Sequence, residues 1–247
     1  MRVIDWPFSA SVHGDPRAGG PCTLVVEWRS EPDQEERVNQ LRCVETWWVR
    51  LAAEGGLGGE QIAPAQGRGQ LVDDQQPEDL IGALRWSLAA LRVDALTILL
   101  NLVMMSEFPI TRVTVSCDGA DLELNLTPRE QLGRWPAPPF VLDEERVIRD
   151  VTLEIELTSE PDEPTRAALV EFLQVWSLVG ALGGFRELVP TTEHSELVPE
   201  DDVALDIDLL TLVVRDNNAH EVAYDVLVNL LSRAAGSIAP IAHVSLR

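Results

Sequence analysis

The sequence predicts an α+β protein, α/β-like in its alternation of elements. It reads as a tandem duplication of a strand-helix-strand-helix-strand unit, giving a pseudo-twofold pair with mixed sheet and helices packed on it. Three observations carry this. The word Ser-Glu-Pro-Asp occurs at 30–33 and again at 159–162. At that same offset of 129, Thr23 and Leu24 fall on Thr152 and Leu153, Arg37 on Arg166, Trp47 on Trp176 and Ala52 on Ala181. Further along, Pro77-Glu78-Asp79 matches Pro199-Glu200-Asp201, Asn101 matches Asn229 and Pro109-Ile110 matches Pro240-Ile241, at offsets that drift to 122, 128 and 131 as loop insertions require. The chain therefore divides into an N-terminal extension (1–21), a first repeat (22–117), an extra strand with a proline-rich connector (118–150) and a second repeat (151–247).

Each element follows from two sequences that must satisfy one fold. The runs at 22–28 and 151–157 read as strands, the second alternating Leu153, Ile155 and Leu157 with Glu154 and Glu156. A helix comes next: Asp33 stands three residues before Glu36 in a capping-box arrangement, Pro32, Pro161 and Pro164 suit a helix entry, and Val38, Leu41, Val44, Trp47 and Leu51 recur at helical spacing. The glycine-rich words at 55–59 and 180–184 end it. The stretch 82–91 is ambiguous alone, but 203–214 alternates Val203, Leu205, Ile207 and Leu209 with Ala204, Asp206 and Asp208. Both therefore read as strands, with Leu84, Trp86 and Leu88 as the matching residues. A second helix follows, capped by Asp94 or Asn218 and stopped in the second copy by Gly236, and strands starting at Pro109 and Pro240 close the units. Between the repeats, Asp118-Gly119 suggests a turn into an extra strand at Leu122–Leu126.

Composition bounds the function. The chain has 41 acidic residues against 19 arginines and no lysine, a formal net charge of −22. Such a field repels nucleic acid and anionic membrane and speeds encounter with a basic partner. The first residues show no secretory leader pattern, and the most apolar stretch, Leu88–Met105, is broken by Arg92, Asp94 and Asn101. Cys22, Cys43 and Cys117 are odd in number and widely spaced, which speaks against a disulfide framework or zinc cage and for a reducing cytoplasm; Cys22 and Cys43 read as small buried hydrophobes.

The absent lysine removes the P-loop lysine, the pyridoxal phosphate Schiff base and the kinase lysine together. The glycines at 55–59 lack GxGxxG spacing after a strand and read as helix termination. His13, His194, His220 and His243 stand in no HExxH, HxH or CxxC neighbourhood; His243 occupies the position of Arg112 and reads as an exposed strand residue. No GxSxG is present. The sequence predicts no enzyme, no cofactor and no metal site.

Two acidic clusters remain: Asp73, Asp74, Glu78 and Asp79, and Glu200, Asp201, Asp202, Asp206 and Asp208. They lead into the middle strand of each repeat. Neither has the glycine and final glutamate of a calcium loop. They read either as a solvated face or as a twice-displayed docking surface for a basic protein. The helix around 167–182 is apolar nearly all round, with Glu171, Gln174 and Ser177 as one narrow polar seam expected to face solvent. Phe172 and Trp176 are thus candidates for an interface between repeats or between chains, including a homodimer. The profile is similar to that of bacterial immunity and antitoxin proteins, which block basic toxins by charge and shape; the likeness is one of composition and architecture, with no shared motif. A non-catalytic, cytoplasmic protein that binds a basic partner is the leading expectation. A small-ligand sensor using a cleft between repeats, or an oligomeric structural component, is the alternative.

Overall fold

The computed structural model describes residues 8–14, 22–28, 46–48, 50–51, 54–56, 70–71, 82–88, 98–102, 110–118, 137–145, 150–185, 196–199, 203–217, 219 and 221–247; for 70–71, 82–88, 196–197, 205 and 217 it describes the backbone alone. The chain falls into two compact units. Met1–Val49, Glu60–Gln131 and Leu188–Pro190 form unit 1; Arg50–Gly59, Leu132–Glu187 and Thr191–Arg247 form unit 2. Mixed sheets with helices make the protein α+β.

Unit 1 holds β1 (Ser9–His13), β2 (Cys22–Trp28), β3 (Gln70–Leu71), β4 (Gly82–Leu88) and β5 (Ile110–Cys117), in the order β1-β5-β2-β4-β3. β1 runs parallel to β5, and the other pairs are antiparallel. The period-two pattern of β2 puts Cys22, Leu24, Val26 and Trp28 into the core while Thr23, Val25 and Glu27 face away. Helical residues 46–48 and 98–102 contribute Trp48, Ile98, Leu99, Leu100 and Leu102, all buried.

Unit 2 holds β6 (Val141–Glu144), β7 (Asp150–Leu157), α1 (Glu163–Ala181), β8 (Glu196–Pro199), β9 (Ala204–Asp206), β10 (Leu209–Asn217), α2 (Val222–Ser237) and β11 (Ile241–Leu246). Its order is β6-β11-β7-β10-β8, with β9 also on β10, and β6 is again the one parallel addition, to β11. The strand sequence β5-β2-β4-β3, like β11-β7-β10-β8, is that of the split β-α-β, or ferredoxin-like, arrangement. In β7, Val151, Leu153, Ile155 and Leu157 are buried, as the alternation predicts.

α1 starts where Asp162 Oδ1 accepts a hydrogen bond from Thr165 N at 3.0 Å, with Pro164 in the first turn, where no intrahelical N–H is lost. It ends at Ala181, with Gly183 just beyond the cap at φ 74 and Gly184 N donating to Val179 O at 2.9 Å. Residues 50–56 end alike: Gly55 has φ 83, and Gly56 N donates to Leu51 O at 3.0 Å. This reach of five residues back from a left-handed glycine satisfies a carbonyl the helix leaves open. No described helix is long and apolar enough to cross a membrane.

Five expectations are corrected. The unit is not strand-helix-strand-helix-strand: a further strand, β3 in unit 1 and β8 in unit 2, comes before the middle strand and pairs with it at the sheet edge. Cys22 and Cys117 are not independent thiols. They face each other across β2 and β5 and form a disulfide, because antiparallel pairing of the first and last strands brings residues 95 apart in sequence to one corner. The run at 203–214 is not one strand: it folds into the β9–β10 hairpin, with Asp206 opposite Leu209 and a two-residue turn at Ile207-Asp208. The residues that take the places of Leu84, Trp86 and Leu88 beside the neighbouring strand are therefore Leu210, Leu212 and Val214. Gly236 lies inside α2 rather than stopping it, and the helix ends at Ser237. Ser177 is buried, so the solvent-facing seam of α1 runs through Ala167, Glu171, Gln174 and Leu178 instead. The expected strand at Leu122–Leu126 and the caps Asp33, Asp94 and Asn218 lie outside the described residues. β6, which the connector conceals, does not.

Candidate functional site

Of the predicted acidic residues, Asp73, Asp74, Glu78 and Asp79, and likewise Glu200, Asp201 and Asp202, lie outside the described residues. Asp206 closes β9 and is exposed; Asp208 is half-buried in the turn, where its carbonyl accepts from Leu157 N at 2.8 Å. Between them stands Ile207, at φ 47 and 62% exposed. Neither Asp206 nor Asp208 enters an ion pair or side-chain hydrogen bond among the described residues. Glu156, opposite Leu209 on β7, is exposed as well.

Trp176 is 1% exposed, and its Nε1 donates to Ala223 O at 2.8 Å, so the indole joins α1 to the start of α2. Phe172 is half-buried. On the outer side of α1 an open groove of about 510 Å3 passes Glu163, Arg166, Ala167, Val170, Glu171 and Gln174.

The face of the unit 2 sheet turned from its core carries charged and polar side chains alongside Leu209 and Val213. His243 Nε2 lies 2.8 Å from Asp143 Oδ2, Arg247 Nη2 lies 3.7 Å from Glu154, and Arg247 Nε donates to Ser245 Oγ at 2.8 Å. His243 sits opposite Glu156 in the register, as Arg112 sits opposite Glu27 in unit 1, and Arg112 is 3.6 Å from that glutamate. The sequence reading of His243 as a counterpart of Arg112 thus has a matching register position. A histidine held by a carboxylate has a fixed ring orientation. Among the described residues, however, it meets no hydroxyl or thiol, and the α1 groove does not include it. The pair can serve as a cross-strand tie; among the described residues this face brings no nucleophile to a base.

A second cluster ties residues 50–56 to the helices of unit 2. Arg50 Nε bonds Glu54 Oε1 at 2.8 Å and its Nη2 bonds Glu171 Oε1 at 2.5 Å. These bonds, Glu54 first, hold the guanidinium even more firmly protonated, while burial pushes the Glu54 carboxyl above its usual range. Asn229, buried in α2, donates from Nδ2 to Gly56 O at 3.3 Å. Asn101 is equally buried, so the matched asparagines occupy interior positions. At the entry to α2, Asp216 accepts from Ala219 N at 2.7 Å and from the Tyr224 hydroxyl. Burial and then Asp216 raise the Tyr224 pKa far above the usual phenol range, so this proton is structural. Asp143, the Cys22–Cys117 bridge and the exposed Ile207 are the features that the sequence reading passed over. The cysteines stand at the two bounds of the first repeat, a position that could have paired them.

No protein-family model and no curated protein matches the chain. Among solved structures it is similar to "Structure of chlorite dismutase from Candidatus Nitrospira defluvii in complex with imidazole", at 12% identity and a TM-score of 0.25, over 86% of this chain and 82% of that one, a likeness too slight to carry any argument.

Proposed function

We propose that the chain is a non-catalytic acidic protein that binds a basic partner protein, in the manner of immunity and antitoxin proteins. The observation that supports this is the excess of acidic charge: 41 acidic residues stand against 19 arginines, and Asp206 and Asp208 enter no ion pair among the described residues. A surface of one sign focuses a basic protein toward it and raises the encounter rate, and the same field disfavours nucleic acid and anionic lipid. The test is affinity purification from the native host, followed by association kinetics of the recovered partner at rising salt. A basic partner whose association slows steeply with salt is expected; a neutral or acidic partner with a salt-independent rate refutes the reading.

The duplication is part of the same proposal. In its support, β2 and β7 pair with β5 and β11 at constant offsets of 129 and 131, and the irregularity falls at Thr111 in one sheet and Ala242 in the other. The two glycine-terminated helix ends agree at an offset of 128, which equates buried Trp48, rather than half-buried Trp47, with Trp176. The cytoplasmic address rested on unbridged cysteines, and the disulfide withdraws that support. Thiol labelling of the protein extracted under non-reducing conditions decides it. Homodimerisation through α1 is tested by light scattering, a monomer at every concentration excluding it.

A further inference from the structure

We propose that the hairpin tip Asp206-Ile207-Asp208 is the point at which the protein grips its partner, and that the partner presents an apolar patch rimmed by arginine or lysine. This rests on the binding reading above and names the element that does the binding. Ile207 has φ 47, a region in which the branched Cβ of an isoleucine crowds the backbone. Two-residue hairpin turns are ordinarily built from Asn, Asp or Gly for that reason. The strain is not offset by burial within the chain, since the side chain is 62% exposed. Backbone strain of this kind persists where it serves a function, and the strained residue here carries a large apolar side chain held in solvent between two carboxylates, which a covering partner surface would bury.

The surroundings define that surface. Asp206 and Asp208 flank the isoleucine, exposed Glu156 lies opposite Leu209, and none of the three carboxylates has an ion-pair partner among the described residues. A wholly apolar surface would strip water from unpaired carboxylates at considerable cost, and a wholly basic one would gain nothing from the isoleucine. An apolar centre with a cationic rim satisfies both. The tip is also firmly placed: β9 and β10 pair through Ala204–Thr211, Leu205–Leu210 and Asp206–Leu209, and the Asp208 carbonyl is bonded to β7.

A displayed library of random peptides panned on the full chain supplies defined probes, which are then synthesised and titrated against the wild type and its variants. The enriched peptides are expected to combine large apolar side chains with Arg or Lys. Ile207→Asn should weaken them by roughly tenfold or more. Because asparagine tolerates positive φ, the same variant should raise the thermal midpoint by about a few degrees. Ile207→Leu should keep affinity within about threefold, since the apolar contact survives. Asp206→Asn with Asp208→Asn should weaken binding and flatten its salt dependence. Basic peptides that bind Ile207→Asn and the double variant as tightly as the wild type overturn the assignment to the hairpin but leave the basic-partner reading standing. A library that yields no basic peptide overturns both.

Discussion

The sheets of the two units share strand order, pairing sense and the place of their irregularity, yet they secure the same corner by different means. In unit 1 the start of β2 and the end of β5 are joined covalently through Cys22 and Cys117. In unit 2 the start of β7 meets the end of the chain through two backbone bonds, Thr152 N to Arg247 O at 2.7 Å and Arg247 N to Thr152 O at 3.1 Å, with Val151 in the place of Cys22. At the far edge of unit 2 both β8 and the short β9 pair with β10, and Ile207 and Asp208 alone join β9 to it; the described edge of unit 1 is β3 on β4. The common features depend on a pattern of apolar residues that many sequences can supply. The differences sit at corners and tips, where single residues decide.

The largest effect that sharpens this comparison lies in the helices. Trp176 is enclosed and its indole N–H has a carbonyl partner, so Trp176→Ala should cost about 3–5 kcal/mol in urea unfolding. If the two helix ends are equivalent in the register their glycines suggest, Trp48→Ala should fall in the same range and Trp47→Ala well below it. A larger loss at Trp47 than at Trp48 breaks the equivalence.

Next comes the disulfide. Closing a separation of 95 residues constrains the unfolded chain strongly, and Cys22→Ser with Cys117→Ser should cost about 2–5 kcal/mol. The reduced wild type should match the double variant in calorimetry, and unit 1 should melt first if the units unfold separately. A midpoint indifferent to reductant shows that strand pairing alone holds that corner.

How much of this was legible in the sequence depends on which signal each residue carries. Leu153, Ile155 and Leu157 announce β7 because only an extended chain puts alternate residues on one face. The break at Ile207 left no such trace. Up to the turn the odd-numbered positions alternate as apolar; after it the buried residues are Leu210, Leu212 and Val214, and the adjacent pair Leu209-Leu210 hides the change of parity. Turn chemistry gave no help either, since isoleucine is a residue turns avoid. Cysteine number alone does not reveal the disulfide: only when β2 and β5 are neighbours do the bounds of the first repeat become the natural place for a bridge. Asp143 was hidden in a connector whose prolines drew attention from the short strand β6.

A smaller effect tests the helix ends. Gly55 and Gly183 both sit at positive φ, and an added Cβ at Gly55 finds only Arg233 carbons at 3.6 and 3.7 Å, so the penalty is conformational rather than steric. Alanine at either position should cost about 1–2 kcal/mol, and the two values should agree closely in chemical denaturation. A cost at one and none at the other separates the two ends.

The smallest effect is a pair of pH dependences of opposite sign. Asp162, at the start of α1, has its carboxyl held below the usual range by hydrogen bonds from the Thr165 side chain and backbone. A lowered folded-state value means that its contribution is present above the unfolded carboxylate range near pH 4 and is lost as pH falls through the folded value. Asp162→Ala should therefore lower the thermal midpoint at neutral pH, with the deficit shrinking in acid. Glu54, its side chain 16% exposed, is shifted the other way, burial outweighing the hydrogen bond from Arg50. Its contribution is complete below that range and is lost as pH rises through the raised value, because ionising the buried carboxyl disfavours the folded state. Glu54→Gln keeps an acceptor for Arg50 and removes the charge, so it should raise the midpoint at neutral pH, with the gain fading as pH falls toward 4. Melting curves of both variants and the wild type across the acid range read the two slopes together. Parallel slopes would mean that the carboxyl below Arg50 is as well solvated as the one at the head of α1, and that the Arg50–Glu54–Glu171 cluster is a surface feature.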